Sequence, residues 1–284
     1  MEKLRKIDIH VHAIPEPDLL RKNGTTYPVP EELRRMYDRL NIERGILLPP
    51  GSAPEGTGDR MSQREARQLV DNNPEVFCGW FCNLDPRQGG NDPHTDFSRY
   101  IEYYKTRGAV AVGEMTANVW LSDPRMKNLL EHCARCSMPV LFHFGKLGGD
   151  YGVVDTDSLH CLELVLDRLP TLKVIGHSPR FWTSAVRVRE LMERHPNLYC
   201  EFSSLSGGRA ILADPEFTYK FFEDFSDRIF YATDLHSPDN LETYDIYEKV
   251  AAFLDDAAEQ GKISEKAYRL ICRENALRLI EGRL

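Results

Sequence analysis

The sequence has no apolar run close to the roughly 20 residues needed to span a bilayer, so no membrane association is expected. Its first residues, MEKLRKIDIH, run directly into a strand-like segment without the apolar stretch of a secretory signal, and a cytoplasmic location is expected. Positive charge is in short supply. Lys and Arg number 36 against 44 Asp and Glu, a net charge of −8, which argues against the basic footprint of a nucleic-acid binder. The seven cysteines are scattered and odd in number, so they cannot all pair within the chain. Cys133 and Cys136 form a C-x-x-C inside the helical-looking LLEHCARCS, but no second pair completes the four ligands of a zinc knuckle, and they read as structural helix residues. Linkers, low-complexity tracts and short repeats are also missing. One domain spanning residues 1–284 is the simplest reading, with room for assembly into a homo-oligomer.

What the chain does have is alternation. Strand-like runs at 6–12, 44–49, 76–84, 109–115, 139–145, 173–179, 197–204 and 228–234 are separated by amphipathic stretches such as SQREARQLVDNN, PRMKNLLEHCARCS and TSAVRVRELMERH. Pro124, behind Ser122 and Asp123, and Pro215 sit where helices start. Eight strand–helix units imply parallel strands joined by right-handed crossovers, and they predict a closed (β/α)8 TIM barrel. The tail from Pro238 to Leu284 supplies extra C-terminal helices, split at Gly261. Residues 13–30, rich in Pro and Gly, follow the first strand as a long loop of the kind that tends to be functional.

In KIDIHVH, Ile7, Ile9 and Val11 alternate with Asp8, His10 and His12, which places the three polar residues on one strand face. That pattern fits a strand with one solvated face, and equally two imidazoles offered to one metal ion. The other strands end alike: Glu114 after the fourth, His143 after the fifth, His177 after the sixth and Asp234 after the eighth. Polar residues at the carboxyl ends of barrel strands gather at one mouth, where such folds do their chemistry. Five or six potential ligands from five strands are more than satisfied core histidines would explain.

This ordered set resembles the amidohydrolase superfamily. The stretches IDIHVHAIPEP, LPTLKVIGHSP, YATDLHSPDN and ICRENALRLI resemble in particular its amidohydrolase 2, or amidohydrolase-related, branch. The resemblance covers nearly the whole chain and implies a metal-dependent barrel acting as a hydrolase or as a non-oxidative decarboxylase. By position, His10, His12, His143 and Asp234 would hold the metal, and His177 would be a second-metal ligand or an acid/base group. Asp8 would lie one layer deeper, either orienting the site or satisfied by backbone. Glu114 stands where some members carry a carbamylated lysine. It is similar to the glutamate of TatD-like deoxyribonucleases in two-metal sites, with a salt bridge away from the site as the other reading. GHSPRFW replaces the glycine-rich turn that many relatives have after the sixth strand, so no relative's substrate carries over.

The resemblance implies one or two divalent ions, zinc first, with manganese, iron or cobalt compatible with mixed nitrogen and oxygen ligands. Such an ion makes water a nucleophile near neutral pH, and Asp234 would shuttle its proton. Lys146, Arg180 and Arg209 follow the fifth, sixth and seventh strands, and would either bind an anionic small-molecule substrate or lie as solvated surface charge. Trp182 and Trp120 would wall a cyclic substrate or cap the core. Hydrolysis of a small carboxylated amide, ester or lactone leads, ahead of decarboxylation, a TatD-like nuclease and a non-catalytic metal binder.

Overall fold

The computed structural model describes residues 3–17, 20–21, 23–50, 61–149 and 151–284. Nine strands form a single parallel sheet: β1 (Lys6–Val11), β2 (Ile42–Leu47), β3 (Phe77–Cys82), β4 (Ala109–Met115), β5 (Val140–Gly145), β6 (Val153–Val154), β7 (Val174–Pro179), β8 (Leu198–Glu201) and β9 (Ile229–Phe230). The order is β1-β2-β3-β4-β5-β7-β8-β9, with the two-residue β6 hung on β5. All eight expected strands are present. β6 was not expected, since two residues leave no readable periodicity.

Closure between β9 and β1 runs through backbone rather than a long ladder. The Ile9 N–H donates to Tyr231 O at 3.1 Å, Asp234 N–H to His10 O at 2.8 Å and His12 N–H to Leu235 O at 2.9 Å. Asp8 strengthens this seam, its carboxylate accepting from the Thr233 N–H at 3.0 Å and the Thr233 hydroxyl at 2.6 Å. The Tyr37 hydroxyl reaches the same carboxylate at 3.1 Å, over Gly45, where a Cβ would stand 2.0 Å from the Tyr37 oxygen. Burial pushes the Asp8 carboxyl up to about 7, against the pull of these donors. Of its two expected readings, Asp8 follows the second in part: it is satisfied by backbone and hydroxyl donors, and it locks the barrel's first strand to its last.

Helices α1 (Pro30–Leu40), α2 (Gln63–Asn72), α3 (Ser98–Lys105), α4 (Pro124–Arg135), α5 (His160–Arg168), α6 (Ala185–Arg194), α7 (Ser204–Ala213) and α8 (Pro215–Asp224) follow the strands in turn. They start where the sequence says. Asp123 caps α4 ahead of Pro124, and Asp214 caps α8 ahead of Pro215. Cys133 lies in α4 and Cys136 caps its end, both as free thiols. The tail forms α9 (Asn240–Thr243), α10 (Ile246–Glu259), α11 (Glu265–Arg269) and α12 (Asn275–Ile280), with a π-helical turn over Leu270–Glu274 between the last two. No helix among the described residues is long and apolar enough to cross a membrane.

Two apolar layers follow. Ile7, Ile9, Ile46, Phe81, Ala111, Leu141, Ile175, Tyr199 and Phe230 meet as the barrel interior, closed at one end by Ala276 and Leu279 of α12. The larger cluster, with Val11, Val112, Phe142, Val174 and Cys200, packs strands against helices. This corrects the alternation expected in β1. Ile7 and Ile9 point inward and Asp8 outward to Tyr37, while His10 and His12 reach the mouth. The register of β1 against β2 is irregular between Asp8 and Val11, and an extra residue there re-aims the histidines. β4 uses the same device: Ala111 is interior and Val112 is not, yet Glu114 reaches the mouth past a register irregularity between Val112 and Met115.

Candidate metal centre

Seven side chains from the carboxyl ends of six strands converge: His10, His12, Glu114, His143, His177, Glu201 and Asp234. All are buried except Asp234, which is partly open to solvent. Asp234 has a left-handed backbone, φ 57°, held by its N–H bond to His10 O. Such a conformation in a non-glycine residue is costly and clusters at functional sites.

Hydrogen bonds behind the histidines fix which nitrogen faces the site. His12 Nδ1 lies 2.9 Å from the Leu48 carbonyl, which can only accept, so His12 carries its proton there and turns Nε2 inward. His10 Nδ1 lies 3.1 Å from Glu201 Oε1, and His177 Nδ1 contacts the same oxygen. Glu201 also accepts from the Ser203 hydroxyl at 2.9 Å and from the Ser203 N–H. One fully buried carboxylate thus orients two imidazoles, the arrangement that commonly presets metal-ligating histidines. Burial would raise Glu201, but His177 and His10 hold it down to about 2.

The inward-facing atoms crowd together. His10 Nε2 and His12 Nε2 lie 3.2 Å apart, so that His12, when it carries a second proton, donates to His10. His177 Nε2 is buried without a hydrogen-bond partner, with Glu114 Oε1 3.3 Å away. Glu114 stands among all four imidazoles, with Oε1 2.5 Å from His143 Nδ1 and Oε2 3.5 Å from His12 Nε2 and 3.9 Å from His10 Nε2. Asp234 Oδ1 lies 3.3 Å from His12 Nε2 and 3.7 Å from His10 Nε2. Burial opposes charge on both acids, yet the imidazoles around them hold both well below the usual carboxylate range. Burial would likewise lower His12, but Asp234 and Glu114 push it up to about 10. Three ionised carboxylates gather positive charge, as protons on the imidazoles or as a bound cation, and the donor set of imidazole and carboxylate suits a divalent ion. Two triads that share no residue, His10/His12/Asp234 and Glu114/His143/His177, each bring ligand atoms within 4.8 Å of one another.

Every residue expected as a ligand is therefore in the cluster, and Glu114 faces the imidazoles, not a lysine. Glu201 was missed, although the rule that found the others, a polar residue ending an apolar strand, applies to NLYCE as well. The residues expected to contact substrate have the following surroundings. Arg180 is ion-paired with Asp157. Lys146 is exposed on the turn after β5. Trp182 is buried, with its indole N–H donating to Glu201 O at 2.8 Å, and Trp120 is 38% exposed beside β6. Arg209, on α7, lines a separate surface hollow of about 680 Å³ with Leu241, Tyr244 and Lys249.

The family model described as Amidohydrolase matches residues 7–281, and the chain belongs to that family. No curated protein matches it. Among solved structures it is similar to an uncharacterised TIM-barrel protein of Bordetella bronchiseptica, at 15% identity and TM-score 0.65 over 99% of both chains. It is also similar to a zinc-bound amidohydrolase of Burkholderia multivorans, at 13% identity and TM-score 0.63 over 98% of this chain and 99% of that one. A 2,6-dihydroxybenzoate decarboxylase from Rhizobium matches at 15% identity and TM-score 0.59 over 98% and 99%. At these identities the structures share the fold.

Proposed function

We propose that the chain is a metal-dependent hydrolase of a small carboxylated amide, ester or lactone, with two divalent ions, zinc first, between the strand ends. The observation that supports this reading is the pair of disjoint triads, with the single carboxylate of Glu114 reaching toward both. When bound, the ions supply Lewis acidity that makes water nucleophilic near neutral pH. His10 and His12, preset by Glu201 and Leu48 O, and His143 would be nitrogen ligands; Glu114 and Asp234 would be oxygen ligands. Asp234, held ionised and partly open to solvent, accepts the proton of the attacking water and passes it to the leaving group. His177, braced on Glu201, serves the second triad.

One observation favours a second reading. The buried Nε2 of His177, when protonated, would be the group to protonate carbon, which a non-oxidative decarboxylase needs, and one structural neighbour is a decarboxylase of 2,6-dihydroxybenzoate. A screen of aromatic and aliphatic carboxylated lactones, esters, amides and acids separates the two. Hydrolysis incorporates oxygen from labelled water into the product, whereas decarboxylation releases carbon dioxide without it. On the substrate so found, Asp234→Asn in metal-loaded protein lowers turnover by about 10²–10⁴. Near-normal turnover would rule out the proton-transfer role.

A further inference from the structure

The four imidazoles of the cluster are not held alike. His10, His12 and His177 each turn Nδ1 to an acceptor behind the ring: Glu201, the Leu48 carbonyl and Glu201 again. His143 turns Nδ1 to Glu114 Oε1, which is itself a candidate ligand and so no fixed brace. Among the described residues, what holds the His143 ring is packing. The Tyr151 ring tilts against it with centres 4.5 Å apart, and the Gly152 backbone lies along its Cδ2 edge. A Cβ on Gly152 would stand 2.9 Å from His143 Cδ2 and 2.7 Å from Gly145 N, and φ there is 100°, so any side chain is strained.

One side chain fixes where that backbone runs. Asn118, in the segment after β4, donates from Nδ2 to Lys146 O at 2.9 Å and to Gly152 O at 3.1 Å. Its Oδ1 accepts from the Gly148 N–H at 3.2 Å. Two carbonyls and one N–H around a single amide fix its orientation and use both amide hydrogens. These bonds join the backbone leaving β5 to the backbone entering β6. Main-chain bonds extend the seam: Gly152 N–H to Thr116 O at 2.7 Å, and Val154 N–H to Val119 O and Leu121 N–H to Val154 O at 2.9 Å.

We infer that Asn118 is the positioning residue of His143: it clamps the segment after β5 so that Tyr151 and Gly152 hold the imidazole beside Glu114. This rests on the proposed reading of the cluster as a metal centre. The clamp serves the triad Glu114/His143/His177, while His10 and His12 depend on Glu201 and the Leu48 carbonyl.

The test is zinc titration of the chelator-treated full chain against a chromophoric competitor, in wild type, Asn118→Ala, Tyr151→Ala and Tyr151→Phe. Asn118→Ala and Tyr151→Ala should weaken one of two ions by about tenfold or more and leave the other unchanged. Tyr151→Phe, which keeps the ring, should bind as wild type does. Both ions held normally by Asn118→Ala would overturn the assignment. Equal weakening of both would do the same, since that marks a general loss of structure. A second readout needs no metal. In the carbon–proton spectrum of histidine-labelled, metal-free protein, the His143 Cδ2–H signal, identified by its loss in His143→Gln, is displaced by the Tyr151 ring. Asn118→Ala and Tyr151→Ala should return it toward the position of free imidazole while the His10 and His12 signals hold. A His143 signal unmoved in Asn118→Ala would overturn the clamp. A wild type that takes one zinc ion or none corrects the metal-centre reading, and the spectrum then decides the role of Asn118 alone.

Discussion

The two ends of the barrel bury polar groups in opposite ways. At the closed end Lys6, fully buried, lies 2.7 Å from Asp255 Oδ1, and the Tyr268 hydroxyl donates to the same oxygen at 2.7 Å. One cation meets one anion, and a hydroxyl completes the set. At the mouth, three carboxylates and four imidazoles crowd together with two imidazole nitrogens face to face and a third without a hydrogen-bond partner. The first cluster balances one charge against one inside the chain, although Lys6 Nζ makes no hydrogen bond of its own. The second gathers three carboxylates that bound protons or a bound cation must balance, which is how a ligand site differs from a structural ion pair.

Substitutions at the two ends should therefore read out differently. Asp255→Asn strands the buried Lys6 charge and should destabilise the protein by about 3–5 kcal/mol, with or without added metal, read by denaturant unfolding. A cost below about 1 kcal/mol would remove the contrast. Glu201→Gln should leave the fold standing but weaken metal binding about 10–100-fold in competition with a chromophoric chelator, since His10 and His177 lose their shared acceptor. Unchanged affinity would reduce Glu201 to packing.

The comparison also shows what could be read in the sequence. Eight apolar runs punctuated by helix caps carried the barrel, because period and length are local properties. The cluster residues were legible because each ends such a run. Which way they pointed was not, because the irregular registers of β1 and β4 depend on neighbouring strands, and one extra residue reverses every alternation argument beyond it. Arg180 shows the same limit: its ion pair with Asp157 depends on how two loops meet, which no periodicity encodes.

pH carries a further signature of the mouth. His12 and His177 are pushed up to about 10 in the metal-free cluster, burial notwithstanding, by Asp234 and Glu114 for the first and by Glu201 and Glu114 for the second. Both are above the ordinary imidazole value, so protons occupy these nitrogens at neutral pH until metal displaces them. Metal binding should release protons, and affinity should rise with pH toward about 10, which titration calorimetry in buffers of different ionisation enthalpy will detect. Affinity independent of pH would place the metal elsewhere.

The most direct test of the central claim is elemental analysis with stoichiometry, on wild type and Glu114→Gln purified without chelator. Two divalent ions per chain, falling to one in the variant, is the predicted result. A wild-type chain that holds no metal even after loading with zinc or manganese would contradict the claim outright. One ion in both proteins would discard the two-metal hydrolase in favour of the decarboxylase-like site.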